Sequence, residues 1–213
     1  MIVICVVGPD GSGKTTLARY LVGEIERRGK KAALVWMRFS NYFSKVLLAF
    51  ARICGYSYFK QVDSVKMGFH DFEKVWWLRW PFAFLQMLDV NIAAWLKFRS
   101  LKGIDVAVFE RSAWDTLSDV MADTGIVELE ENWIGRNIVR AFRGKCDVLW
   151  INRKKELIRG SRKELASDYK LERKIENYTR LSKVFHWIEI DNNSSLDEAK
   201  QRLSSWLDGR LYD

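Results

Sequence analysis

The chain has 213 residues, 48% apolar and 29% charged, enough to bury a sizeable core and too apolar for a disordered segment. Its formal charge of +8 favours anionic partners, either nucleotides or nucleic acid, although a basic surface without a partner has the same charge. Its three cysteines, Cys5, Cys54 and Cys146, lie far apart with no CxxC pair, which argues against a disulfide or zinc framework and suits buried thiols in a reducing, cytoplasmic setting.

In chain order, Ile2 to Val7 is a continuous apolar run, as expected for a strand buried on both faces, and is too short for a signal peptide. A glycine-rich turn follows from Gly8 to Gly13. Lys14 to Arg28 then shows helical spacing through Leu17, Leu21 and Ile25, with Gly29 as a stop signal. Ala32 to Met37 is the second expected strand and Tyr42 to Ile53 a helix. A long helical pattern runs from about Asp71 to Leu101, with a bend expected at Pro81. Strands are expected at Asp105–Phe109, Asp147–Ile151 and Trp187–Ile190. Helices are expected at Ala113–Ala122, Glu131–Phe142 and Leu196–Leu207, with a charged loop at Gly160–Ser167 and a long helix ending at Lys183. This alternation predicts one α/β domain over 1–213, a three-layer sandwich with a five-stranded parallel sheet flanked by helices.

Trp76 to Phe98 has the length of a membrane span, but Arg79, Pro81, Asp89, Asn91 and Lys97 interrupt it. A buried amphipathic helix is the expectation, and no transmembrane segment. Several of the ten tryptophans fall here, which leaves a lipid-facing or apolar-substrate role open.

The stretch Gly8-Pro-Asp-Gly-Ser-Gly13-Lys14-Thr15 fits GxxxxGK[ST] between a predicted strand and a predicted helix. Glycines at Gly8, Gly11 and Gly13 let the backbone curl so that N–H groups, including that of Ser12, point at phosphate oxygens. The following helix, opening at Thr15 and Thr16, adds its positive end. Lys14 can reach the β/γ-phosphates and the Thr15 hydroxyl can bind Mg²⁺, so ATP and Mg²⁺ are the expected cofactors. Glu110-Arg111-Ser112 follows another strand, at the sheet edge where ligands bind in open α/β folds. There a carboxylate can orient Mg²⁺ or an acceptor and an arginine can clamp phosphate. Arg159-Gly-Ser-Arg162-Lys163 is a basic segment suited to a lid over transferring phosphates at about 159–168. No Asn-Lys-x-Asp guanine-reading motif is present, which weighs against a regulatory GTPase. No second basic–aromatic module is present either, so nucleic acid is not expected.

With these motifs the chain resembles the thymidylate kinase family of nucleoside monophosphate kinases over almost its whole length. The resemblance rests on Gly8–Thr16 with the acid at Asp10, Met37-Arg38-Phe39, Glu110-Arg111-Ser112, Arg159–Lys163 followed by Tyr178, and Ile190–Ser194. It implies transfer from ATP to a nucleoside monophosphate, most simply dTMP, and allows a homodimer. It implies Asp10 facing the acceptor sugar, Arg38 and Arg111 holding the acceptor phosphate, Phe39 near the base, and Glu110 near Mg²⁺. With Gly11 at the loop position where some members carry arginine, Arg159 and Arg162 inherit the catalytic task, and Arg159 is also a candidate to stack on adenine. The acceptor half departs from the pattern. Asp89-Val90-Asn91 lacks the family's arginine, Ser40 replaces a proline, and the Tyr-Gln pair after the Asp-Arg-Tyr motif is absent. A kinase for another acceptor, such as a deoxynucleoside or a small or lipid-linked metabolite, is the alternative within enzymes. A catalytically silent regulatory protein is the alternative outside them.

Overall fold

The computed structural model describes residues 1–37, 41–62, 65–166 and 168–212. The strands are β1 (Ile2–Val7), β2 (Ala32–Trp36), β3 (Ser57–Val62), β4 (Val65–His70), β5 (Val106–Glu110), β6 (Asp147–Asn152) and β7 (Ile188–Asp191). The helices are α1 (Lys14–Arg27), α2 (Ser44–Ile53), α3 (Trp76–Ser100), α4 (Ala113–Thr124), α5 (Trp133–Ile138), α6 (Lys155–Ser161), α7 (Lys163–Ala166), α8 (Leu171–Val184) and α9 (Leu196–Tyr212).

Among the described residues the central sheet has five parallel strands in the order β2-β5-β1-β6-β7. The apolar run of β1 places it in the middle, and its side chains alternate between two cores. Ile4 and Val6, with Val108, Leu149 and Ile151, pack on Leu17 and Leu21 of α1 and Leu203 of α9. Cys5 and Val7, with Phe109 and Trp150, face the core built by α3, α4 and α8. Helices on both faces make the three layers expected, and each fully buried Leu or Ile in them contributes roughly 1.5–3 kcal/mol. The register sets Val6 beside Glu110 and Val7 beside Trp150, so β1, β5 and β6 end on one edge.

Four expectations need correction. Residues 57–62 and 65–70, for which no element was expected, pair as the antiparallel strands β3 and β4 with Ser57 opposite His70. The long helix does not begin at Asp71: a 3-10 turn (Phe72–Lys74) and an extended Val75 precede α3. Pro81 lies inside α3, where it removes the N–H that would bond the carbonyl of Trp77. The helix expected over Glu131–Phe142 is a 3-10 turn (Leu129–Glu131) and the short α5, opened by the Asn132 side chain accepting from the Ile134 N–H at 2.9 Å. Within the charged loop expected at Gly160–Ser167, residues 160–161 and 163–166 are helical, because Ile158, Leu165 and Leu171 among the charges form a small buried cluster of their own. Among the described residues no helix is long and apolar enough to cross a membrane.

Candidate functional site

The carboxyl edge of the sheet gathers the turn after β1, Glu110-Arg111-Ser112 after β5, Asn152-Arg153 after β6 and Asn192 after β7. In the turn, Gly13 has φ 100°, and a Cβ there would lie 2.6 Å from the Asn192 amide nitrogen. That amide donates to the Ser12 carbonyl at 2.8 Å, while the Asn192 N–H donates to the Asn152 carbonyl at 2.9 Å. Asn192 thus fastens the turn to β6 and excludes a side chain at position 13. The Ser12 hydroxyl is buried and finds no partner in the protein. Lys14 is only 4% exposed: its ammonium donates to the Pro9 carbonyl at 2.7 Å and lies 3.7 Å from the Asp10 carboxylate. Thr16 is exposed.

Two contacts join this turn to β5. The Thr15 hydroxyl donates to Glu110, and Arg111 pairs with Asp10. Arg111 has φ 70°, a left-handed conformation uncommon outside glycine. Its surroundings hold it there. The Met37 N–H donates to the Arg111 carbonyl at 3.1 Å. Ser112 opens α4 with a capping box in which its N–H donates to Asp115 at 2.9 Å. Tyr178, fully buried, donates to the other Asp115 oxygen at 2.8 Å, and burial pushes its phenol well above the ordinary range. Tyr178 therefore steadies the Arg111 turn from behind.

The segment expected to be a lid sits against the turn. The Arg153 guanidinium donates to the Gly11 carbonyl at 3.0 Å. A Cβ on Gly11 (φ 81°) would lie 2.5 Å from a Leu165 methyl and 2.7 Å from the Ser161 hydroxyl. Gly11 is thus a seat for α6 and α7, where a side chain would collide. The two candidate arginines separate. Arg162 lines a cleft together with Asp10. Arg159 is on the α8 side, 3.7 Å from Glu172, with its Nε buried and unpartnered.

The cleft, about 570 Å³, lies between α2, the β3–β4 hairpin, α3, α4 and the α6–α8 segment. Phe59, Phe69 and Phe82 supply an aromatic wall, and Thr116, Asp119 and Asp123, spaced to share one face of α4, supply a polar one. Lys170 is buried and pairs with Asp123 at 2.7 Å, and Lys174 pairs with Asp168 at 3.3 Å. Burial also lowers the pKa of His70, whose Nδ1 lies 3.0 Å from the Ser57 hydroxyl.

The structure brings together Gly8, Asp10, Gly11, Ser12, Gly13, Lys14, Thr15, Glu110 and Arg111, with Arg162 across the cleft. Arg38 and Phe39 lie outside the described residues. Asp89, in the stretch where the arginine of the resembled family is missing, is buried under the start of α2, accepting from the N–H groups of Phe43 (2.7 Å) and Ser44 (3.0 Å). Asn91 bonds the carbonyls of Met87 and Asn137. Sequence reasoning missed Arg153, His70 and Lys170. A basic residue directly after the buried run of β6 was a usable signal for Arg153, but the other two depend on the unforeseen hairpin. No protein-family model matches the chain, and no curated protein matches it.

Proposed function

We propose that the chain is a P-loop phosphotransferase, dependent on ATP and Mg²⁺, that phosphorylates a nucleoside monophosphate, with dTMP the first candidate. The observation that carries this is the Thr15–Glu110 contact. It joins the GxxxxGKT turn to a carboxylate on the neighbouring strand, beside a separate cleft that a second substrate would fill.

The residues present suit the cofactors. The left-handed glycines leave a turn without side chains on its inner face, the buried Ser12 hydroxyl lacks a partner, and Lys14 points its charge across the turn. Thr15 and Glu110 would hold Mg²⁺. Among the described residues no cluster of three carboxylate, histidine or cysteine ligands is present, so phosphate and water would complete the shell. Bound ATP with Mg²⁺ supplies the transferable phosphoryl group and neutralises part of its charge. The chain's own work is alignment and electrostatics. Backbone N–H groups of the Gly8–Thr15 turn would bind phosphate oxygens, and Lys14 would exchange the Pro9 carbonyl for them. Arg111 and Arg162 face the acceptor phosphate, which brings about two negative charges at neutral pH. Asp10 orients the acceptor, the aromatic wall takes its ring, and the α6–α7 lid keeps water out. A cytoplasmic enzyme, as a monomer or homodimer, belongs to the same reading.

A second reading, transfer to a different acceptor, is favoured by the cleft. The stretch Asp89-Val90-Asn91 brings no arginine to an acceptor phosphate, while Asp119 and Asp123 bring carboxylates suited to hydroxyl or amino groups. A screen of ADP release with dTMP, dUMP, dCMP, AMP and thymidine tests both. Turnover of a monophosphate above thymidine supports the first reading. Turnover of thymidine above every monophosphate, or of none, overturns it.

A further inference from the structure

We propose that the outer face formed by α2 and α3 docks on the surface of an anionic phospholipid bilayer. The inference is independent of the phosphotransfer reading.

A surface helix ordinarily turns its polar side to water. α2 does not. Phe43 before it and Val46, Phe50 and Ile53 within it are spaced 3, 4 and 3 residues apart, so they share one stripe, and they are 50%, 76%, 50% and 85% exposed. Its buried residues, Ser44 and Ala51, are small. α3 continues the surface with Trp76, Trp77, Trp80 and Phe84, all exposed and at helical spacing. The Phe50 and Trp77 rings are 6.2 Å apart and those of Phe84 and Trp133 are 6.4 Å apart, which makes the two stripes and Trp133 one continuous apolar face. A face of this kind on a folded protein marks an interaction surface.

Charge selects the occupant. The two helices carry Lys45, Arg52, Arg79, Lys97 and Arg99, and their one carboxylate, Asp89, is buried and bonded to the start of α2. The two helices therefore expose tryptophans together with Lys45, Lys97 and Arg99 and carry no exposed acid of their own. That is the composition of segments that lie in the headgroup region of anionic membranes, where tryptophan prefers the interface and each cation gains from the negative surface. In a second copy of this chain an isologous contact would set the cations of the two helices against themselves, with no acid on either helix to answer them. At ten residues α2 spans only about 15 Å, so the geometry is that of a helix lying along the surface. Leu48 and Arg52 of α2 and Phe82 and Gln86 of α3 also line the cleft, so docking would be felt at the candidate site.

Flotation of the full chain with vesicles tests this. Phosphatidylcholine–phosphatidylserine vesicles should carry the protein up the gradient, and pure phosphatidylcholine vesicles should bind at least about tenfold less, with binding weakened by salt. Ile53→Glu and Trp80→Glu, both on exposed positions, should each lower the partition coefficient about tenfold or more with unchanged circular dichroism and melting temperature. Sedimentation velocity accompanies flotation. Protein that stays in solution with anionic vesicles, or binds them equally after both substitutions, overturns the proposal. So does a concentration-dependent dimer that Trp80→Glu dissolves in the absence of vesicle binding, which would assign the face to a second copy.

Discussion

The hydroxyl of Thr15, at the first turn of α1, donates to the carboxylate of Glu110 at the end of β5, across 95 residues of sequence. The contact exists because β1 and β5 are parallel neighbours with Val6 opposite Glu110. In the reading advanced above, the same two oxygens receive Mg²⁺. Glu110→Gln should then raise the Mg²⁺ concentration for half-maximal transfer about tenfold or more. A titration of activity against Mg²⁺ checks it, and an unchanged requirement would leave Glu110 only the task of holding Thr15.

The two lid arginines should behave differently. Arg162 shares the cleft with Asp10, whereas Arg159 reaches Glu172. Arg162→Ala should lower kcat on the order of 10²-fold with a smaller change in KM for ATP, as for a group whose best contacts form in the transition state. Arg159→Ala should cost less in kcat. Steady-state kinetics on both variants decide, and equal small effects would return the segment to a solvated surface.

Gly11→Ala should unseat the lid. The new methyl would meet Leu165 and Ser161 at 2.5 and 2.7 Å, at a φ that disfavours any side chain. Cleavage by limited proteolysis should increase within 159–168 and activity should fall, while the β1 core is untouched. Wild-type proteolysis kinetics in the variant would show that the contact is not needed to hold the segment.

Asp89→Ala should destabilise the protein by about 2 kcal/mol, because it strips acceptors from the start of α2 and leaves the buried N–H of Ser44 unbonded. Chemical denaturation measures this. A variant of wild-type stability but raised KM for the acceptor would place Asp89 at the acceptor and not under α2.

The parts legible in sequence were those written locally. The apolar run Ile2–Val7, the glycines and Lys14 around the turn, and Glu110-Arg111 after Val106–Phe109 each declare themselves within a few residues. The central sheet followed from them, because strands buried on both faces leave a continuous apolar signal. The acceptor side is written non-locally. Asp89 meets α2 through a contact 45 residues away, and Lys170 meets Asp123 from 47. No spacing rule links such pairs. The hairpin of β3 and β4 has two strands outside the main sheet, so it lacks the long apolar run that marks a central strand. The short helix at Lys163–Ala166 was missed for a related reason: one buried leucine, Leu165, among charged neighbours carries too little periodicity to announce a helix.

The central claim is that the Gly8–Thr15 turn binds ATP for phosphoryl transfer, and Lys14 tests it most directly. Its buried ammonium donates to the turn's own Pro9 carbonyl and lies 3.7 Å from Asp10, and its side chain belongs to neither apolar core cluster of the sheet, so its loss should leave the core intact. Transfer from ATP should be followed by ³¹P NMR for the wild type and Lys14→Ala, with circular dichroism confirming that both are folded. The wild type should convert ATP to ADP and a phosphorylated acceptor, and the folded variant should lose at least on the order of 10²-fold in rate. Near wild-type turnover in the folded Lys14→Ala protein would contradict the account.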